Sequence, residues 1–206
     1  MLAQVLERII TFAASDQESL VAAREEWASA AGRVFDDDAL YEERTVAFLE
    51  WFALERPGRG GKVPVDLFLA EHAADAVERA WVLALRNSHR SLFEVKQMLP
   101  GVVMLDDLLG GGVFAVAERR QLPGVAEGEI LEARLVANIS APPELLFSRA
   151  LQFHPREAAA QLKRLAARAG AEGRTELLFR LARLRLKALR YQHVGADKIY
   201  AADDAA

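Results

Sequence analysis

The side chains that most often take part in catalysis or metal binding are present in this sequence, but they are widely spaced. The four histidines, His72, His89, His154 and His193, are separated by 17 or more residues, and none belongs to an HxH, HExxH or HxxxH motif. A metal site needs several converging ligands, and such motifs supply two of them from one element. The chain has no cysteine, which excludes a thiolate nucleophile, a disulfide and a cysteine-ligated metal. We therefore predict no metal site.

Two clusters of carboxylates could bind Mg²⁺ or Ca²⁺, because these cations take several oxygen ligands. Asp36–Asp38 precede a predicted helix, where carboxylates cap free amides and complement the helix dipole. Asp106 and Asp107 are followed shortly by three consecutive glycines, and aspartate typically begins a tight turn in such a context. Neither cluster has the spacing of an EF-hand. We interpret the first cluster as a helix start and the second as part of a hairpin.

Two glycine clusters, Gly58–Lys62 and Gly110–Gly112, suggest phosphate binding, because glycine lets backbone amides approach a phosphate. The first cluster follows a predicted helix and lacks the Ser or Thr that follows the lysine of a P-loop. The second connects two predicted strands, and the chain has no GxSxG motif. These patterns predict no cofactor and no catalytic residue. An enzyme built from dispersed carboxylates and arginines would escape this test, so the question of an activity stays open, with a non-enzymatic protein favoured.

Basic residues are concentrated near the C-terminus. Residues 149–198 contain 12 Lys and Arg and four acidic residues, although the net charge of the whole chain is −4. Arg183, Lys187 and Arg190 have the spacing of one helical face, and Arg180 lies beside them. Such a face can contact the phosphates of a nucleic acid or an acidic partner. The sequence favours the alternative, in which the basic helices pack against the acidic N-terminal region or form a solvated face.

These residues are carried on two kinds of predicted element. Apolar residues at helical spacing predict helices up to about residue 88, and the aromatic residues Phe48, Trp51 and Phe52 are expected in their core. From Ser91 the pattern changes to short apolar runs separated by turns, one of which is Pro123–Gly124. The helical spacing returns after Pro155. The predicted helices of the N-terminal part cover 2–10, 16–31, 38–55, 66–71 and 74–86, and the predicted strands cover 91–98, 102–105, 113–116, 129–136 and 145–148.

The order of these elements predicts an α+β fold. We expect an N-terminal helical lobe over residues 1–88 and a central small antiparallel β module of about five short strands, a barrel or meander, over residues 89–153. A C-terminal helical hairpin over residues 154–194 and a frayed tail over residues 195–206 complete the chain. These regions could also form one compact unit.

Five segments, in the order Val46–Leu54, Ser91–Val95, Leu105–Leu109, Gly128–Leu135 and Phe153–Pro155, resemble a group of uncharacterised bacterial proteins. Some members of that group also carry a cysteine-rich SEC-C metal-binding segment. The resemblance covers roughly residues 48–155 and implies helices that flank a small β module. It implies no catalytic residue, and the SEC-C zinc function does not apply to a chain without cysteine.

The composition is that of a folded protein, with 52% hydrophobic and 27% charged residues in 206. Because the first apolar stretch contains charged residues and no apolar run approaches 18 residues, we expect a cytoplasmic protein without a membrane span. The first functional hypothesis is a non-enzymatic interaction or adaptor protein with a protein partner. The alternative is a nucleic-acid-binding protein that uses Arg180, Arg183, Lys187 and Arg190. Formation of a homo-oligomer is left open.

Overall fold

The computed structural model describes residues 1–73, 75–119 and 125–204, and these residues form an α+β fold, which confirms the predicted class. The described part contains eight α-helices and six β-strands. The helices are α1 (Leu2–Ala14), α2 (Gln17–Ala31), α3 (Tyr41–Leu54), α4 (Pro64–Glu71), α5 (Ala76–Arg86), α6 (Ala159–Ala169), α7 (Arg174–Arg190) and α8 (Ala196–Asp204). The strands are β1 (His89–Leu99), β2 (Val102–Asp107), β3 (Val113–Ala117), β4 (Ile130–Ala137), β5 (Leu145–Phe147) and β6 (Gln152–Phe153), and a 3₁₀ turn over Arg156–Ala158 precedes α6.

The chain divides into two compact units. Unit 1 contains Met1–Ser29, Arg33–His89 and Leu135–Ala150, and unit 2 contains Ala30–Gly32, Arg90–Arg134 and the chain from Leu151 onward. The segments predicted from the sequence, 1–88, 89–153 and 154–194, follow chain order. In the structure, by contrast, the middle of the chain supplies strand residues to both units.

Unit 1 is built on amphipathic helices. In α1, Val5, Leu6, Ile9 and Ala13 recur at helical spacing, and all four are buried. In this unit α1 packs against α3, α4 and α5. The aromatic residues expected in the core, Phe48, Trp51 and Phe52 of α3, are buried, and Trp27 is buried as well. The ring contacts of this core are Trp27–Trp51 at 5.2 Å, Trp27–Phe48 at 5.9 Å and the stacked pair Phe48–Phe52 at 6.0 Å between centroids.

Unit 2 packs helices against antiparallel strands. Strand β2 pairs with β1 and with β3, and β4 pairs with β6 through Leu131 opposite Phe153 and Glu132 opposite Gln152. The last residues of β4 belong to unit 1, where they pair antiparallel with β5. Alternate side chains of a strand point to opposite faces, so one set can pack against the helices. The apolar core of unit 2 includes Leu92, Ile130, Leu162, Leu165, Leu178, Leu181, Ile199 and Tyr200.

Four details differ from the sequence predictions or lie beyond them. Strand β6 was not predicted, and α8 occupies most of the segment predicted as a frayed tail. The helix predicted to begin at Asp38 begins at Tyr41, and Asp36–Asp38 lie in the turns before it. Within the described residues, α3 begins after Leu40 without a side-chain cap, and the Asp38 carboxylate accepts a hydrogen bond from the Phe35 amide at 2.7 Å. The predicted turn at Pro123–Gly124 lies outside the described residues.

Candidate functional site

The basic residues singled out in the sequence lie along α7. Arg183, Lys187 and Arg190 are exposed, and Arg180 is half-buried at the edge of the same stripe. At 100° per residue these four positions fall within about one quarter of the helix circumference, and Arg183 and Arg190 are separated by about 10 Å along the axis. We call these four residues the basic face of α7. The rest of the helix turns its apolar residues inward, and the buried members include Leu177, Leu178, Leu181, Leu184 and Leu186.

Two residues of the basic face have no counterion in the part of the chain that the structure describes. Within the described residues, the side chains of Arg183 and Lys187 form neither an ion pair nor a hydrogen bond. Arg180 and Arg190, in contrast, interact with other groups of the chain. The middle of the face therefore carries two solvated cations whose charge is available to another molecule.

A small pocket adjoins the basic face at its N-terminal end. It has a volume of about 440 Å³ and lies between α6 and α7. Its charged lining consists of Arg168, Arg180 and Glu176, and Gly173 forms part of its wall. The Glu176 carboxylate offsets part of the positive charge, so the pocket is mixed in charge rather than strongly basic.

An exposed aromatic pair follows the basic face at its C-terminal end. Tyr191, which is 50% exposed, lies next to the exposed His193, with ring centroids 6.1 Å apart at an angle of 72°. Sequence reasoning missed this pair, although the signal was available, since two aromatic rings follow the last arginine of a basic helix. Exposed rings beside cations can stack on nucleobases or on planar groups of a partner.

His154 lies at the predicted junction between a strand and the following helical region, where it follows β6. It is buried, and its Nδ1 lies 3.0 Å from the hydroxyl of Tyr200. Burial, with a smaller contribution from the charge of Arg185, lowers the pKa of His154 from 6.5 to about 3. Burial also raises the pKa of Tyr200, so both groups are neutral at pH 7. A neutral imidazole enclosed in this way is not accessible to an external substrate.

Buried and half-buried carboxylates of unit 2 are held by cations. Arg90 binds Glu132 at 2.6 Å, and its guanidinium lies over the ring of Phe179 at 5.9 Å. Lys163 binds Glu94 at 2.8 Å. Partial burial alone would raise the pKa of Glu94, but hydrogen bonds from Lys163 and then from Lys96 lower it below its usual value. The lowered pKa makes the Glu94 carboxylate a weak general base.

The second carboxylate cluster, Asp106 and Asp107, and the second glycine cluster, Gly110–Gly112, belong to one hairpin. Asp107 is buried, and its Oδ1 accepts hydrogen bonds from the Ser91 hydroxyl and, at 3.0 Å, from the Leu109 amide. Its amide donates to the carbonyl of Gly112, which closes the hairpin between β2 and β3. Gly111 and Gly112 have positive φ angles of 73° and 104°, which explains why glycine occupies these positions. The predicted hairpin is therefore present, with Asp107 inside it.

Two further observations concern metals and membranes. In the ranges 1–73, 75–119 and 125–204, no three His, Asp or Glu side chains come together in a way that could hold a metal ion. The longest described helix, α7, has only 17 residues and is rich in arginine, and no helix of the described part has the length and apolar character needed to cross a membrane.

A comparison with protein families identifies the chain as a member of a family of unknown function, DUF7986, whose model matches residues 4–156. The match extends further toward the N-terminus than the resemblance to bacterial proteins and includes unit 1 from residue 4 onward. It ends before α6, so the basic face of α7 lies beyond the matched residues. Searches of curated proteins and of solved structures found no match.

Proposed function

We propose that this protein is a non-enzymatic interaction protein that binds an acidic segment of a partner protein through the basic face of α7. The observation that carries the proposal is the exposure of Arg183 and Lys187 on one face of a helix, without an internal counterion among the described residues. The opposite face of α7 is anchored in the core of unit 2. A rigid helix that presents fixed cations to solvent suits the recognition of carboxylates on another molecule.

The proposal does not involve catalysis. The histidine with the most perturbed pKa, His154, is enclosed, and the carboxylates described above are engaged in ion pairs or in the hairpin. A general acid or base must reach the substrate within hydrogen-bond distance, and an enclosed imidazole does not meet that condition. We place the protein in the bacterial cytoplasm on the basis of the resemblance to bacterial proteins and a cysteine-free composition, which suits a reducing compartment.

Nucleic-acid binding is the second candidate function, and the exposed pair Tyr191 and His193 favours it. Proteins that bind single strands combine cations along the backbone with aromatic rings on which bases stack. The basic face supplies the cations, and the aromatic pair follows it directly in the chain. In that case binding weakens steeply with salt, because each phosphate contact releases counterions.

The test uses the full chain and two double variants with the same change in charge. Arg183→Glu with Lys187→Glu reverses the two solvated cations of the basic face. Arg24→Glu with Lys62→Glu reverses two exposed cations of unit 1 and is the matched control. Binding to polyglutamate and to a single-stranded oligonucleotide is measured by fluorescence anisotropy at several salt concentrations.

We expect the first variant to bind polyglutamate about tenfold or more weakly than the wild type, because two attractive contacts become repulsive. The control variant should bind within about twofold of the wild type. Nucleic-acid binding predicts that the oligonucleotide is the preferred probe. It also predicts that the slope of log K against log salt concentration becomes less steep by about 1.4 in the first variant, which corresponds to the loss of two phosphate contacts on a single strand. If both variants bind both probes equally well, the basic face is not the binding surface.

A further inference from the structure

Helix α8 is a short element held in place by two buried side chains. It has nine residues, far fewer than an isolated helix needs to be stable in water. Ile199 and Tyr200 are its deeply buried residues, with exposed fractions of 4% and 0%. In unit 2, α8 packs against α6, α7 and the 3₁₀ turn Arg156–Ala158. The stability of α8 therefore depends on the environment of these two side chains.

The hydroxyl of Tyr200 bonds to a histidine whose other ring nitrogen has no partner. His154 Nδ1 and the Tyr200 hydroxyl are 3.0 Å apart, and the two rings meet edge to face at 6.0 Å. His154 Nε2 is buried and makes no hydrogen bond within the described residues. Close by, Arg185 Nε donates to the carbonyl of Phe153 at 2.6 Å and brings a positive charge to the same region. A second proton on His154 would create an imidazolium in an enclosed space that already holds a cation.

Three carboxylates of unit 2 that could stabilise such an imidazolium already bind other cations. This applies to three ion pairs of unit 2, Glu129–Arg156, Glu132–Arg90 and Glu94–Lys163. Among the residues whose side chains are described, the 3₁₀ turn and α8 also carry Glu157, Asp197 and Lys198, which are half-buried or exposed. From α7 the neighbouring charge is Arg185, and from α8 the contacting group is the neutral hydroxyl of Tyr200. The surroundings of His154 therefore favour its neutral form.

We infer that His154 and Tyr200 form an acid-sensitive latch, which holds α8 against unit 2 while the imidazole is neutral and releases α8 when the imidazole takes up a proton. If the Tyr200 hydroxyl donates to Nδ1, protonation removes the acceptor of that bond. If Nδ1 donates instead, protonation places the new N–H on the buried and unsatisfied Nε2. In both tautomers the charged form is better solvated once α8 has moved away.

The direction of the pH dependence follows from the two states of the latch. With α8 docked, the pKa of His154 is lowered to about 3, whereas a solvated histidine keeps the ordinary value of 6.5. The open state therefore binds more protons between about pH 3 and pH 6.5, so docking is strongest above pH 6.5 and weakens as the pH falls. Between pH 7.5 and pH 5 the ratio of open to docked α8 should rise about 30-fold.

Release of α8 would expose apolar surface in unit 2. Ile199 and Tyr200 of α8 belong to an apolar cluster that also includes Leu162 and Leu165 of α6 and Leu178 and Leu181 of α7. The latch would therefore link acidity to the exposure of a second, apolar surface, distinct in chemistry from the basic face of α7.

The test is hydrogen–deuterium exchange of the full chain at pH 7.5 and pH 5, with exchange rates corrected for their intrinsic pH dependence. We expect the protection factors of the amides in 199–204 to fall about 30-fold at pH 5. The protection of α1 and α3 should remain unchanged. In His154→Gln, which keeps hydrogen-bonding groups but does not titrate, the pH dependence should disappear. In Tyr200→Phe, α8 should be less protected at both pH values and should still respond to pH.

Three results would overturn the inference. The first is equal protection of 199–204 at both pH values in the wild type. The second is an unchanged pH dependence in His154→Gln. The third is a loss of protection that spreads equally over all of unit 2, which would indicate global unfolding rather than release of α8. If His154→Gln does not fold, Tyr200→Phe and the comparison of regions within the wild type still decide between release of α8 and the alternatives.

Discussion

Removal of the Glu50 carboxylate gives a quantitative prediction for unit 1. Glu50 lies in α3 and is only 1% exposed. Its Oε1 accepts hydrogen bonds from the backbone amides of Arg149, at 3.0 Å, and Ala150, at 3.1 Å. These two amides belong to the segment that follows β5. The carboxylate therefore ties this segment to α3 across 99 or more residues of sequence.

The expected cost can be worked out from these two bonds. A hydrogen bond to a charged group contributes roughly 1.5–3 kcal/mol, and part of this is offset because the carboxylate no longer has to be desolvated. Glu50→Ala should therefore lower the free energy of unfolding by about 3 kcal/mol. Glu50→Gln retains an acceptor of the same shape but loses the charge, which should cost about 1 kcal/mol.

Thermal unfolding monitored by circular dichroism measures both changes. For a chain of this size, about 3 kcal/mol corresponds to a decrease in Tm of roughly 6–12 °C, and about 1 kcal/mol to roughly 2–4 °C. Glu42→Ala, at an exposed position in the first turn of α3, is the control and should change the stability by less than about 0.5 kcal/mol. If Glu50→Ala lowers Tm no more than Glu42→Ala does, the two hydrogen bonds do not hold the segment.

Two further predictions concern unit 2. A Cβ at Gly110 would lie 2.6 Å from Asp107 Oδ2 and 2.9 Å from Arg174 Nη2, so Gly110→Ala should destabilise the protein by roughly 1–3 kcal/mol in urea unfolding. Gly58→Ala meets only ordinary contacts and should stay within about 0.5 kcal/mol of the wild type, and equal effects of the two would refute the argument. Lys163→Met removes a cation that lowers the pKa of Glu94. Because the pKa is lower in the folded state, ionised Glu94 stabilises the fold above about pH 4.5, and this contribution is lost as the pH falls through the lowered pKa. The stability difference between Lys163→Met and the wild type should therefore be present at pH 7 and shrink as the pH falls below 4.5. A difference that is independent of pH would contradict this role.

The elements with strong local patterns could be predicted from the sequence. In α1, apolar residues at helical spacing are enough to identify the buried face, and α7 shows both its buried leucines and its basic face in the same way. The hairpin at Gly110–Gly112 follows from its glycines, two of which adopt positive φ angles. Local spacing is informative here because the contacts that determine these features lie within a few residues of each other.

Features that depend on distant contacts were missed. Strand β6 has two residues, too few to show a period, and it is defined by its pairing with β4. Helix α8 is short, and only the burial of Ile199 and Tyr200 distinguishes it from a tail. The bond between His154 and Tyr200 joins residues 46 apart in sequence. No local spacing indicates such a pair, because it arises from tertiary packing.

The most direct test of the proposed function is capture of a binding partner by the full chain from an extract of cells that contain it, followed by binding measurements with the purified partner. The capture is carried out with and without nuclease at about 0.15 M and about 0.5 M salt, and with both double charge variants. We predict that the partner is an acidic protein whose capture withstands nuclease and that it binds the Arg24→Glu, Lys62→Glu control as tightly as the wild type. The same protein should bind Arg183→Glu, Lys187→Glu about tenfold or more weakly. A purified partner that binds both double variants equally well would contradict the assignment of the basic face as the binding surface.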